Sequence, residues 1–111
     1  MKTGRKLKLV NPSTGDTLRE LPYHSWEEVK TQLTISGKMQ KEWKDSSIDS
    51  RIEMVQNAID YFKSNTDTIA RNITQQMGKP ISQSKNEVKG TIHRAEICCS
   101  LAEDALKDIT L

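Results

Sequence analysis

Val88, Ile92, Ala95, Cys99, Ala102 and Leu106 follow one another at steps of 4, 3, 4, 3 and 4 residues. That period puts all six on one face of a single long α-helix, expected from about Ile81 to Lys107. A stripe this narrow does not hold a helix in water without a surface to cover it. The rest of the chain offers little apolar material for that cover. Only 34% of the 111 residues are hydrophobic and 29% are charged. Counting glycine, the apolar share is about 39%, against about 45–50% in ordinary soluble domains. Mean hydropathy is −0.69. No run of ~20 apolar residues exists, so no membrane-spanning helix is expected. A large self-sufficient core is also excluded, which predicts marginal stability for the chain by itself.

The elements ahead of that helix are marked by local chemistry. Lys6-Leu7-Lys8-Leu9-Val10 alternates as a strand does. Asn11-Pro12-Ser13-Thr14-Gly15-Asp16 combines nearly every turn-forming residue type. Thr17-Leu18-Arg19-Glu20-Leu21 is the return strand, stopped by Pro22, giving a β-hairpin over residues 6–23. The region 25–111 reads as helical. Ser25-Trp26-Glu27-Glu28 is a capping box, opening a helix from Trp26 to about Lys44. Its stripe of Trp26, Val29, Leu33 and Trp43 is interrupted by Ser36, Gly37 and Gln40. Ser47 or Asp49 caps a second helix carrying Ile52, Val55, Ile59 and Phe62. Thr66-Asp67 opens a third, with Ile69, Ala70, Ile73 and Met77 on one face. Gly78 and Pro80 then form a helix stop. Gly90 interrupts the last helix at a cost of ~1 kcal/mol relative to Ala, which close packing of another element would justify.

The search for chemistry is mostly negative. Net charge is +2, too balanced for an electrostatic nucleic-acid binder. The basic run Lys2, Arg5, Lys6, Lys8 reads as edge-strand gatekeeping. Cys98 and Cys99 are adjacent, point about 100° apart on a helix, and do not naturally bridge. Two cysteines are no disulfide framework, so a reduced, cytoplasmic setting is expected. The N-terminus shows no apolar signal-peptide core. Glycines at 4, 15, 37, 78 and 90 allow neither G-x-G-x-x-G nor a P-loop. His24 and His93 belong to no metal-ligand motif. His93 lies about 9 Å of helical rise from Cys99, too far for a nucleophile–base pair.

The order of the segments is more telling than any one of them. Asn11-Pro12-Ser13-Thr14-Gly15-Asp16 resembles the N-P-[AS]-T-G-E turn that opens aldehyde dehydrogenases. Val29 and Trp43 resemble the family's V…F-x-x-W helix, and Arg51-Ile52 the helix after it. Ile73-Thr74-Gln75-Gln76-Met77-Gly78-Lys79-Pro80-Ile81 resembles its L-T-x-E-x-G-K-P-I segment. Residues 86–109, with Glu87-Val88, Gly90, Arg94-Ala95 and Ala102-Glu103-Asp104-Ala105-Leu106, resemble one NAD(P)-dependent branch. Gln76 and Gln40 depart from the pattern, where Glu and an aromatic are usual.

The resemblance implies a fold class and a role. The fold is mainly α with an N-terminal β-hairpin and about four helices, the last one long. It would form the N-terminal part of an α/β aldehyde dehydrogenase-like coenzyme-binding domain, with residues 1–111 as a single segment and the catalytic domain absent. Full-length members are oxidoreductases that turn aldehydes into carboxylic acids with NAD or NADP. The nucleophilic Cys, the general-base Glu and the nucleotide-binding glycines of that family fall outside the matching region. No residue of this chain is therefore expected to be catalytic or cofactor-binding, and no cofactor is expected to bind it alone. One ligand set touches the region: main-chain oxygens of Leu9 and Val10 and the side chain of Glu87 match a monovalent-cation site of some members. The expected partners are the remainder of the dehydrogenase chain or full-length subunits, with neither nucleic acid nor membrane. The alternative is a non-enzymatic helical interaction module that acts as a dominant-negative partner of full-length subunits. A reading frame continuing past Leu111 with a strand and a P-W-N-like segment would favour the first reading.

Overall fold

The computed structural model of the chain describes residues 4–110. Two strands, β1 (Lys6–Val10) and β2 (Thr17–Pro22), precede four helices. These are α1 (Trp26–Lys44), α2 (Ile48–Ser64), α3 (Thr66–Met77) and α4 (Ile81–Ala105). They fall into two compact units. One holds the described residues up to Ser46 together with Gln75–Gly78, and the other holds Ser47–Thr74 and the described residues from Lys79 on.

In the first unit, β1 and β2 pair antiparallel, with Lys6 opposite Pro22 and Leu9 opposite Arg19. The register then slips so that Val10 faces Thr17, leaving Leu18 as the extra residue of a bulge. The turn between the strands is built by Asn11. Its side-chain oxygen accepts from the Ser13 N–H at 2.9 Å, and its carbonyl accepts from the Gly15 N–H at 2.8 Å. Gly15 adopts φ +78°, a left-handed conformation that glycine reaches at no steric cost. Pro22 ends β2 at the edge of a two-stranded sheet, where its missing N–H is tolerated. Lys6 and Lys8 reach across to Glu20 at 3.1 and 3.7 Å. The Lys6 hydrogen bond and then its charge hold the Glu20 carboxyl below its ordinary range. All three side chains are exposed, so solvent screens most of that attraction.

The capping box opens α1 as the sequence predicts. The Ser25 N–H donates to Glu28 Oε2 at 2.7 Å, and the Glu28 N–H donates back to Ser25 Oγ at 3.2 Å. The helix nonetheless buries none of its residues. Trp26 and Leu33, from its sparse stripe, are 64% and 63% exposed. The Lys30 ammonium lies 5.6 Å from the Trp26 ring centroid, a weak cation–π contact at an exposed site.

The second unit contains all the fully buried side chains found among the described residues. They are Ile59 of α2, Ala70 of α3, and Val88 and Ser84 of α4. Of the two candidate caps for α2, Ser47 takes the role, accepting from the Ser50 N–H at 3.2 Å. Asp49 sits in the first turn, where its charge complements the helix dipole. α2 packs against α4, with Ile59 and Phe62 facing Thr91, Ile92 and Ala95. The α4 stripe extends one step further toward the N-terminus than hydropathy suggested, to Ser84. The buried Ser84 hydroxyl shares a 2.8 Å hydrogen bond with Thr74 of α3, so its burial leaves no polar group unpaired. Two ion pairs tie the helices together: Lys63–Glu96 at 2.7 Å between α2 and α4, and Lys85–Asp67 at 2.8 Å between α3 and α4. The hydrogen bond to Glu96 raises the Lys63 pKa, and the hydrogen bond from Lys85 lowers that of Asp67. α4 ends at Ala105, two residues short of Lys107, within the fraying of a helix terminus.

Gly90 differs from expectation. Outside its own helix backbone, a Cβ built there meets only Arg94 Nη2 among the described residues, at 3.7 Å, an ordinary contact, so none of them requires the side chain to be missing. Gly90→Ala is therefore expected to stabilise the chain by about 1 kcal/mol, read as a higher midpoint in a urea melt. An unchanged or lower midpoint would mean that the helical environment is not the one described.

Candidate functional site

Two of the segments that carry the family resemblance meet in the first unit. α3 stops at Gly78, which adopts φ +73°. The turn residue Pro12 covers it closely. A Cβ on Gly78 would lie 2.9 Å from Pro12 Cγ and 3.6 Å from Ser13 Oγ. The N-P-S-T-G turn is thus seated on the glycine of the G-K-P segment. Neither motif reveals this in sequence, because the contact joins residues distant along the chain.

Lys79, the next residue, projects its ammonium to Glu87 Oε1 at 2.6 Å, one of the closest ion pairs here. This pair tethers the turn ahead of α4 to that helix's second turn. Both side chains are more than a third exposed, so solvent screens much of that attraction. Leu9 and Val10, the other members of the proposed cation set, are consecutive in β1, the first half-buried and the second exposed. They belong to the first unit and Glu87 to the second. Among the described residues, no three or more His, Cys, Asp or Glu side chains cluster to hold a metal ion.

The remaining chemistry-bearing side chains are scattered. His24 Nδ1 lies 3.8 Å from Glu28 Oε2, in an exposed pair beside the α1 cap. His24 also borders a shallow pocket with Val29, Gln32 and Leu33. Cys98 is exposed, Cys99 is half-buried, and both are free thiols. The feature that the sequence did not reveal is a groove of about 380 Å³ between α2 and α4. Ile52, Val55, Ala102 and Leu106 form its walls, and both cysteines line it. Among the described residues, no helix is long and apolar enough to cross a membrane.

Comparison with known proteins places these features in context. The model of the aldehyde dehydrogenase family matches residues 1–110. An NAD(P)+ succinate semialdehyde dehydrogenase of Escherichia coli K12 is 30% identical over 94 residues, which is 85% of this chain and 20% of that protein. A methylmalonate/malonate-semialdehyde dehydrogenase of Anopheles gambiae is 29% identical over 100 residues, 90% of this chain and 19% of that one. The chain therefore spans about a fifth of the length of these relatives. Among solved structures, an aldehyde dehydrogenase from Bacillus subtilis superposes with a TM-score of 0.83 at 25% identity, over 90% of this chain and 22% of its own. The NADP complex of a glyceraldehyde-3-phosphate dehydrogenase from Methanocaldococcus jannaschii shares the fold, with a TM-score of 0.86 over 98% of this chain and 24% of that one, at 21% identity. With the family match running the length of the described chain, and its turn and corner motifs packed on each other, this protein belongs to the aldehyde dehydrogenase family.

Proposed function

We propose that this chain is the N-terminal segment of an NAD(P)-dependent aldehyde dehydrogenase, and that by itself it is catalytically inactive. The carrying observation is a family match over residues 1–110 within a span of only about a fifth of the relatives. The residues present do not fit a dinucleotide. A pyrophosphate needs backbone N–H donors on a glycine-rich turn at a helix N-terminus. The groove between α2 and α4 is instead apolar and lies along the bodies of two helices. No step of the oxidation is therefore assigned to these residues. Their role is architectural: the turn seated on Gly78 and the packed α2–α4 pair present apolar faces for the rest of the domain. In the same reading, Leu9 and Val10 carbonyls and Glu87 contribute to a monovalent-cation site completed by ligands outside the chain. A carboxylate and carbonyls suit a hard cation, which would compete with the Lys79 ammonium for Glu87.

The semialdehyde dehydrogenases among its relatives make succinate semialdehyde and malonate semialdehyde the first substrates to assay for the complete enzyme. The purified 111-residue chain, given either aldehyde with NAD or NADP, is expected to produce no reduced nicotinamide above a protein-free control. Aldehyde-dependent formation of NADH or NADPH by the pure chain would overturn the proposal. Co-expression with a dehydrogenase lacking its matching segment is expected to restore turnover. Capture of intact subunits with loss of their activity would instead favour the dominant-negative interaction module.

A further inference from the structure

We draw no further inference here: the strongest candidate, the surface of α4 on which the exposed Ile97 and Leu101 follow Gly90 at helical spacing, is an unpartnered apolar face, and nothing in the structure shows what covers it.

Discussion

Ile59→Ala is expected to abolish the cooperative unfolding transition of this chain. Truncating a buried Ile to Ala typically costs about 2–5 kcal/mol, from lost transfer energy and the cavity left behind. Whole domains are stable by only about 5–15 kcal/mol. The buried set here is very small: Ile59 at 3% exposure, Ala70, Val88 and Ser84. Ile59 sits where α2 meets α4, above Ile92 and Ala95, with a small void already beside it. A far-UV circular dichroism melt of the variant should show a broad, sloping loss of helix in place of a sigmoid. Leu33→Ala is the control. It removes a residue of similar size from the α1 stripe, yet Leu33 is 63% exposed, so the expected change is within about 0.5 kcal/mol. Equal effects at the two positions would refute the placement of the core in the second unit.

Gly78→Val should be nearly as damaging, for a different reason. At φ +73° any L-residue meets its own carbonyl, at a cost of roughly 1–2 kcal/mol. A Cβ there also lies 2.9 Å from Pro12 Cγ, closer than real Cβ contacts come, and Pro12 is a stiff ring held in its own turn. Forcing extra carbon into such a contact adds typically about 1–3 kcal/mol. The two contributions are separable. Gly15 adopts almost the same backbone, φ +78°, with nothing within 4 Å of its would-be Cβ. Gly15→Ala therefore reports the conformational cost alone. Gly78→Ala should lower the urea midpoint by more than Gly15→Ala, and Pro12→Ala combined with Gly78→Ala should recover only the excess. A double variant no better than the sum of the singles would show that Pro12 does not press on Gly78.

The element boundaries were legible because their causes are local. The Ser25–Glu28 box and the Gly78-Lys79-Pro80 stop act within a few residues, and α1 and α3 have the expected limits. At α2, two caps were equally good on paper. Ser47 takes the role because its hydroxyl stands three residues before the Ser50 N–H it accepts from. Ser84 escaped notice as a core residue because hydropathy marks serine as polar. Only the Thr74 hydroxyl beside it makes its burial affordable. Gly90 shows the converse. Its place inside a helix suggested close packing, and no atom of the described chain supplies it. Of the candidate cation set, the sequence could match Leu9, Val10 and Glu87 to positions, but not foresee that Lys79 holds Glu87.

Period, caps and turn residues were enough to determine which stretches of this protein are strand or helix, and the order of its motifs carried the family resemblance. Which apolar stripes are covered was decided only by the tertiary structure. Trp26 and Ile59 both sit at helical spacing among apolar neighbours, yet one is 64% exposed and the other 3%. A stripe records that a face can be buried. Burial needs a second surface at contact distance, and whether a stripe meets one depends on how distant parts of the chain come together.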